Sequence, residues 1–186
     1  MCFYGPISLI KKILPTGSHR SRLLILGLDN AGKSTLTARL SEIYNGESKE
    51  PNKQVSEWTL IINNYKVQLW DINGDLKNRQ MWPNYYQKAK VLIFILDSKD
   101  AVRLSEARCV LCDVLMHHEL NRTPLLILSN KKDTSGSLPM STVIDLMGLD
   151  RLEGRDWTIK ECSMQTGAGI QEIVDWITNK IDKKKK

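Results

Sequence analysis

The feature that most constrains this chain is a glycine-rich loop placed directly after a short apolar run. The run at residues 23–26 ends at Gly27, and the loop reads Gly-Leu-Asp-Asn-Ala-Gly-Lys-Ser up to Ser34. This spacing matches G-x-x-x-x-G-K-[ST], in which backbone N–H groups surround phosphate oxygens. We therefore predict a strand, a phosphate-binding loop and a helix in this order, with Lys33 at the β- and γ-phosphates and Ser34 on Mg²⁺. The alternative, a chance glycine-rich turn, is disfavoured by the strand and helix predicted on either side.

A second polar motif predicts which base would accompany the phosphates. Asn130, Lys131 and Asp133 belong to an Asn-Lys-Lys-Asp sequence that follows the apolar run at residues 125–128. A fixed carboxylate at Asp133 can accept hydrogen bonds from N1 and N2 of guanine, a donor pair that adenine lacks. Asn130 is expected to brace the loops around the base. The string alone is a weak signal, but its position at a strand end after the phosphate loop strengthens it, so we predict selectivity for GTP or GDP.

Two further segments complete this set of strand-end loops. Asp71 ends an alternating run and precedes Gly74 by three positions. We expect Asp71 to hold Mg²⁺ through water and the Gly74 N–H to bond a γ-phosphate oxygen. An aspartate at a strand end is more often only a turn former, but this one lies between the two stronger motifs. The loop at Ser163 and Met164 follows a last strand and is expected to present a backbone N–H to guanine O6.

The apolar patterns alternate between strand-like and helix-like segments along the chain. This alternation predicts an α/β fold with a mostly parallel, doubly wound sheet, one antiparallel edge hairpin, and the ligand at the carboxyl ends of the strands. The hairpin turn is predicted at Asn63-Asn64. The predicted strands are residues 23–26, 58–62, 65–70, 91–96, 125–128 and 157–160, and the predicted helices are 33–43, 101–118, 140–147 and 170–181.

The remaining candidate metal ligands carry weaker signals. Cys109 and Cys112 form a Cys-x-x-Cys pair inside a predicted helix without a second pair, so we expect core packing rather than zinc binding. His117 and His118 near the end of that helix are expected to be a solvated terminus.

Composition favours one domain, and we take a cytoplasmic monomer as the default expectation. The 186 residues are 41% hydrophobic and 26% charged, which is typical of a globular protein, and no apolar run has the length of a membrane-spanning helix. The first twenty residues lack a secretory cleavage site. Four scattered cysteines favour a reducing compartment over a disulfide framework.

Both termini differ from the body, which we place at residues 19–181. The N-terminal extension, residues 1–18, contains a stretch at 6–14 whose apolar side chains share one helical face. Such a helix can lie on a membrane surface or dock on the body, and both interpretations stay open. The basic tail, residues 182–186, ends in four lysines at residues 183–186, which supply four of the six net positive charges. A solvated end or a patch for anionic lipid is expected rather than nucleic-acid binding, because the tail contains no aromatic residue.

Together these residues resemble the Arf and Arf-like family of small GTPases, from about residue 20 to residue 181. The resemblance implies a P-loop small GTPase fold, GTP or GDP and Mg²⁺ as ligands, and effectors, exchange factors or other Arf-like proteins as partners. In this family an N-terminal helix moves between the body and a membrane as the hairpin between the switches shifts register. Trp70 and Tyr85 match two aromatic residues that report this shift. The resemblance is carried by residues 27–34, Trp70, Asp71, Trp82, Tyr85, Tyr86 and residues 130–133.

Three positions depart from the family pattern. The first switch of the family contains Pro-Thr-Ile-Gly, whose Thr binds Mg²⁺, whereas here Asn52 aligns and offers only an amide oxygen. The second switch contains Gly-Gly-Gln, whose Gln orients the attacking water, whereas here Asp75 would bring a carboxylate towards the phosphate. Cys2 stands where many members carry a myristoylated glycine, which excludes that lipid and leaves palmitoylation open.

The predicted site therefore has three parts. Asp75 and Gly74 occupy the catalytic position. Ser34, Asp71 and, with a poor match, Asn52 are the candidate metal ligands. The predicted nucleotide-binding residues are Gly27, Asp29, Asn30, Ala31, Gly32, Lys33, Ser34, Thr35, Gly74, Asn130, Lys131, Asp133, Ser163 and Met164.

Residues 71–86 look most like the ADP-ribosylation factor-like protein 13 branch, which implies a cilium-associated, palmitoylated protein that interacts with another Arf-like GTPase. Three functions stay open. The first is a switch with weak intrinsic hydrolysis in membrane or ciliary trafficking, and the second is a pseudo-GTPase scaffold that holds one nucleotide state. The third is a GTPase completed by an activating partner, which ranks last because an incoming arginine would find no Gln to orient the water.

Overall fold

The computed structural model describes residues 21–48 and 54–182, in which one seven-stranded sheet has helices on both faces. The strand order is β2-β3-β4-β1-β5-β6-β7. β1 pairs in parallel with β4 and β5, and β6 and β7 continue the parallel part, whereas β2 and β3 are antiparallel to their neighbours. The predicted doubly wound sheet with an antiparallel edge is thus confirmed. The strands are β1 (Ser21–Leu26), β2 (Glu47–Ser48), β3 (Val55–Ile62), β4 (Tyr65–Ile72), β5 (Val91–Asp97), β6 (Leu125–Asn130) and β7 (Trp157–Glu161).

Helices connect the parallel strands and cover the two faces of the sheet. α1 and α5 pack on one face, where they contribute Leu36, Leu40, Ile173 and Ile177 to the core. α3 and α4 pack on the other face together with the segment that contains Trp82. The helices are α1 (Lys33–Ile43), α2 (Leu76–Arg79), α3 (Leu104–Leu115), α4 (Met140–Met147) and α5 (Ile170–Asp182), with 3₁₀ turns at Trp82–Lys88, Ala101–Arg103, His118–Leu120 and Leu149–Arg151.

The edge hairpin is longer than the alternating pattern predicted. β3 begins at Val55 rather than residue 58, and every residue of β3 pairs with β4, from Val55 opposite Ile72 to Ile62 opposite Tyr65. Asn63 and Asn64 form the turn with φ angles of 46° and 67°. Two consecutive positive φ angles define a type I′ turn, whose twist matches that of the flanking strands.

The predicted helix at residues 101–118 is divided into three pieces. The Asp100 side chain accepts a hydrogen bond from the Arg103 N–H, which closes a 3₁₀ turn before α3. At the other end His117 adopts an extended ψ of 123°, so α3 cannot continue into the following 3₁₀ turn. These breaks follow from local hydrogen bonds that the apolar periodicity does not encode.

The prediction that Cys109 and Cys112 pack in the core is wrong, because both side chains are exposed on α3. The core-facing residues of α3 are Leu104, Ala107, Leu111 and Val114, which recur at helical spacing. The cysteines lie on the other side of that helix.

The prediction of a solvated histidine pair is right for His118, which is exposed, and wrong for His117. The His117 ring is half-buried, meets Tyr86 edge-on at a centroid distance of 5.0 Å and stacks on His118. The end of this helix is therefore part of the packing around Trp82–Lys88 rather than a free terminus.

Several predictions concern residues outside the described ranges. These are the amphipathic extension at residues 1–18, the candidate metal ligand Asn52 and the lysines of the basic tail. Within residues 21–48 and 54–182, every helix is too short or too polar to cross a membrane.

Candidate nucleotide-binding site

The loop between β1 and α1 has a backbone that only glycine can adopt at two positions. Gly27 has a φ of 146°, and a Cβ built there would lie 2.4 Å from the Ile95 carbonyl oxygen. Gly32 has a φ of 108°, and its Cβ would lie 2.2 Å from Asn130 Nδ2. The first glycine therefore lets the loop pass close to β5, and the second lets Asn130 approach the start of α1.

Lys33 is a buried cation at the first turn of α1. Its side chain is 6% exposed, and its Nζ donates a hydrogen bond of 2.7 Å to the Leu28 carbonyl oxygen. Burial lowers the pKa of Lys33, while the nearby carboxylates of Asp71, Asp29 and Asp75 act in the opposite direction. A bound phosphate would supply the anionic partner that this ammonium group and the helix N-terminus favour.

Ser34 and Asp71 bring two oxygen ligands together beneath the loop. Ser34 Oγ donates to Asp71 Oδ2 at 2.7 Å, and Asp71 is 6% exposed at the end of β4. Burial raises the pKa of Asp71, against the opposing effects of the Ser34 hydrogen bond and the Lys33 charge. A hydroxyl and a carboxylate are the donor types that Mg²⁺ prefers, so these residues fit the metal that the family resemblance implies.

Asn130, at the end of β6, connects the phosphate loop to the loop after β7. Its Nδ2 donates to the Ala31 carbonyl oxygen at 2.8 Å, and its Oδ1 accepts from the Met164 N–H at 3.0 Å. Asn130 is 2% exposed. Both halves of the amide are thus used, which is the bracing arrangement expected for this residue.

A cleft of about 550 Å³ lies between these loops. Asp133 lies exposed at its edge, and Lys131 has a φ of 66° and forms a 2.6 Å ion pair with Asp97. Nine of the predicted nucleotide-binding residues line the cleft, together with Thr134 and Gln165, which sequence reasoning missed. The nine are Asn30, Gly32, Lys33, Ser34, Thr35, Asn130, Lys131, Asp133 and Met164.

Ser163 lies behind the cleft rather than in its lining. It is 1% exposed, its N–H donates to the Ala168 carbonyl oxygen at 3.0 Å, and its hydroxyl accepts from the Thr166 N–H at 3.1 Å. Ser163 therefore shapes the loop, and its N–H is not directed to a base.

Asp29, predicted as a nucleotide ligand, is held by an arginine that sequence reasoning did not single out. Arg103 Nη1 lies 3.2 Å from both carboxylate oxygens of Asp29, while Arg103 Nε donates to Asp100 at 2.5 Å. This contact ties the phosphate loop to the 3₁₀ turn before α3. No local pattern predicts it, because the two residues are 74 positions apart.

A second, smaller cavity of about 320 Å³ adjoins the phosphate loop on the side of β3 and α2. Lys33 and Ser34 line it together with three carboxylates, those of Asp29, Asp71 and Asp75. The Asp75 N–H donates to Asn73 Oδ1 at 2.9 Å, which fixes the turn into α2. This cavity is the predicted γ-phosphate side of the site, and it carries more negative than positive side chains.

Gly74 approaches the phosphate loop so closely that a side chain could not fit. A Cβ there would lie 2.3 Å from the Gly27 carbonyl oxygen and 2.6 Å from Lys33 Nζ. Arg79 holds this segment from the other side, because its Nε donates to the Gly74 carbonyl oxygen at 2.9 Å and its Nη2 pairs with Glu106 at 2.7 Å. The predicted second switch is thus anchored to α3.

Comparison with known proteins places these features in a family. The pattern of the ADP-ribosylation factor family matches residues 7–181. The chain is 33% identical over 177 residues to ADP-ribosylation factor-like protein 3 of Chlamydomonas reinhardtii, covering 95% of this chain and 99% of that one. It is 32% identical over 180 residues to ADP-ribosylation factor-like protein 2 of Dictyostelium discoideum, covering 95% of each.

A solved structure has the same fold. The Arl6 small GTPase of Trypanosoma brucei, determined with the nucleotide analogue GppNp, superposes with a TM-score of 0.79 at 22% identity. The match covers 89% of this chain and 99% of that one. The fold extends over nearly the whole of the related structure.

Proposed function

This chain belongs to the ADP-ribosylation factor family, and on that premise we propose that it is a guanine-nucleotide switch that binds GTP and GDP with Mg²⁺ and hydrolyses GTP slowly. The observation that carries the proposal is the convergence of three loops on two adjoining cavities that share Lys33 and Ser34. Lys33 and Ser34 provide the phosphate end, Asp71 the metal side and Asp133 the base end. Asn130 holds the phosphate and base ends in a fixed relation through its two hydrogen bonds.

Slow hydrolysis follows from the carboxylate at Asp75. The residue lies in the cavity on the γ-phosphate side together with Asp71 and Lys33. An ionised carboxylate repels an anionic phosphate and cannot donate the hydrogen bond of an amide. Loss of water positioning reduces the rate by orders of magnitude in enzymes of this type.

The test is a titration of nucleotide-stripped protein with GTP, GDP and ATP, each with and without Mg²⁺. We expect GTP and GDP to bind, Mg²⁺ to strengthen both, and ATP to be rejected. Asp133→Ala should weaken guanine nucleotides at least tenfold, as roughly expected for a lost hydrogen bond to a charged group. Equal binding of ATP and GTP, or an unchanged GTP affinity in Asp133→Ala, would reject the proposal.

Hydrolysis is tested separately with Asp75→Gln under single-turnover conditions. If the switch lacks only the water-orienting group, basal turnover rises; if other groups are also missing, it stays nearly unchanged until an activating partner is added. Wild-type turnover as fast as that of a glutamine-containing relative would contradict slow hydrolysis. Asp75→Asn is the matched control, because it removes the charge without providing the longer amide.

The second candidate is a scaffold that holds one nucleotide state. It is favoured by the three carboxylates that surround Lys33 in the smaller cavity, since they oppose the additional charge of a γ-phosphate. Limited proteolysis of the GDP-bound and GTP-bound forms distinguishes the two candidates. A switch changes its cleavage pattern around Asp75 between the two forms, whereas a scaffold does not.

We further propose peripheral membrane association, with effectors or exchange factors as partners, in membrane or ciliary trafficking. The support is the amphipathic pattern of residues 6–14 and the lysines of residues 183–186, together with the resemblance to the factor-like protein 13 branch. Flotation of the full chain with vesicles that contain anionic lipid tests this. Ile10→Asp should abolish vesicle binding. Unchanged flotation of that variant would show that the N-terminal extension does not bind the membrane.

A further inference from the structure

Arg39 connects α1 to the loop after β7, on the base side of the cleft. Its Nε donates to the Met164 carbonyl oxygen at 3.1 Å, and its Nη2 donates to the Gln165 carbonyl oxygen. The guanidinium group therefore grips two consecutive carbonyls of a loop that is 125 positions away in the sequence. Arginine suits this geometry because its donors form a rigid, planar fork.

The first of these contacts determines the direction of a neighbouring N–H group. The Met164 carbonyl and the Gln165 N–H belong to the same peptide unit, and the described peptide bonds are all trans. In a trans peptide the C=O and N–H point in opposite directions. Because Arg39 holds the carbonyl on the α1 side, the Gln165 N–H is turned away from Arg39. Gln165 itself lines the 550 Å³ cleft.

The other N–H groups at this bend already have partners. The Ser163 N–H donates to the Ala168 carbonyl oxygen, the Met164 N–H to Asn130 Oδ1 and the Thr166 N–H to Ser163 Oγ. Within the described part of the chain, the Gln165 N–H makes no hydrogen bond. It is the donor at this bend that remains available to a ligand.

We propose that Arg39 is a positioning residue for base recognition, which directs the Gln165 N–H towards the O6 atom of guanine. This inference rests on the proposed guanine-nucleotide binding and assigns the O6 contact to Gln165 rather than to the Ser163 or Met164 expected from the sequence. Arg39 acts through the loop and does not touch the nucleotide.

Arg39 lies on the same helix as the residues at the phosphate end, so α1 connects the phosphate end of the site to its base end. Arg39 lies six positions after Lys33, which corresponds to about 9 Å along the helix axis. The helix that presents Lys33 and Ser34 to the phosphates therefore also fixes the loop at the base. Loss of Arg39 should loosen base recognition while leaving the phosphate contacts in place.

The experiment compares Arg39→Ala with wild type for three diphosphates in the presence of Mg²⁺. GDP carries O6 and the 2-amino group, inosine diphosphate carries O6 only, and 2-aminopurine riboside diphosphate carries the 2-amino group only. We expect Arg39→Ala to raise the Kd of GDP and of inosine diphosphate about tenfold, the size of one hydrogen bond. The Kd of the 2-aminopurine analogue should change less than about twofold, because this analogue has no O6 atom to accept a hydrogen bond from the Gln165 N–H.

Two further variants separate positioning from a general effect on the fold. Arg39→Lys can hold only one carbonyl at a time, so it should recover part of the affinity for GDP. Arg155 also donates to backbone carbonyls, those of Leu115, Leu120 and Thr123, but it lies outside the site. Arg155→Ala should lower Tm and leave all three Kd values unchanged.

The outcomes distinguish this inference from the proposed function. If wild type binds ADP as tightly as GDP, guanine selectivity fails and the role of Arg39 fails with it. If wild type selects guanine but Arg39→Ala weakens all three diphosphates by the same factor, or weakens none, Arg39 has no role in reading O6.

Discussion

The Ser34 hydroxyl donates a 2.7 Å hydrogen bond to Asp71 Oδ2, so two of the three candidate metal ligands contact each other directly. A metal ion that binds here requires Asp71 in its ionised form. Burial raises the pKa of this carboxyl above its usual range, so protons compete with the metal at higher pH than for an exposed aspartate.

We expect the Mg²⁺-dependent part of GDP affinity to weaken as pH falls through the raised pKa of Asp71. The reason is that the protonated carboxyl cannot bind the ion. The measurement is the GDP dissociation rate with and without Mg²⁺ between about pH 4 and pH 8. Asp71→Asn should remove both the Mg²⁺ effect and its pH dependence; if that variant keeps either, Asp71 is not a metal ligand.

The raised pKa of Asp71 also affects the stability of the metal-free, nucleotide-free protein. Burial favours the protonated carboxyl, so the contribution of Asp71 to the free energy of unfolding decreases as pH rises from the unfolded pKa near 3.8 through the folded pKa. The difference in unfolding free energy between wild type and Asp71→Asn, measured by urea denaturation, should therefore change in the same pH window.

Lys33→Met should separate stability from phosphate binding. Burial lowers the pKa of Lys33, which means that its charge is costly in the empty site. Methionine retains the length without the charge, so the stripped variant should unfold at the same or a higher urea concentration. Its GDP affinity should fall about a hundredfold, because a charge-assisted contact is lost. Unchanged GDP binding would contradict the assignment of Lys33 to phosphate.

Trp70→Phe should remove most of the difference in tryptophan emission between the GDP and GTP-analogue forms. Trp70 meets Tyr85 edge-on at 5.3 Å, lies beneath Arg22 at 5.4 Å and has a buried Nε1 without a hydrogen-bond partner among the described residues. Any movement of the hairpin against the rest of the sheet changes these surroundings. Trp176→Phe, on α5, is the control and should preserve the difference. Equal losses in both variants would mean that Trp70 does not report nucleotide state.

Alkylation under native conditions should label Cys109 and Cys112 and spare Cys162. Cys162 is 2% exposed, and burial together with the Glu161 charge raises its pKa to about 12, so almost no thiolate exists at neutral pH. Cys109 and Cys112 are exposed on α3. Peptide mass spectrometry after brief iodoacetamide treatment, with and without urea, gives the labelling at each site. Equal native labelling of Cys162 would show that the loop after β7 opens readily.

The parts of the site that local patterns encode were predictable from the sequence. The phosphate loop needs glycines at fixed positions, and the strand ends that carry Asp71 and Asn130 follow recognisable apolar runs. One local signal was available and missed. The stripe of Leu104, Ala107, Leu111 and Val114 on α3 indicates that Cys109 and Cys112 face away from the core.

The parts built by long-range contacts had no such signal. Arg39 reaches the base-side loop, Arg79 holds Gly74 against Glu106, and Arg103 holds Asp29. In each case the arginine has the sequence surroundings of a surface residue. It binds backbone carbonyls or a carboxylate that come within reach only when the sheet has formed. The residue type and its local neighbours are the same as for a solvated arginine, so only the tertiary structure distinguishes them.

The pairing of β4 with β1 limits how the edge hairpin can move. Val67 and Leu69 face the α1 and α5 side of the sheet, whereas Trp70 and Ile72 face the opposite side. A slide of one residue along β1 would exchange these two sets of side chains, so only even steps keep each set on its own side. The smallest such step is about 6.6 Å. The hairpin can therefore shift along β1 only between separate registers, and no stable position lies between two of them.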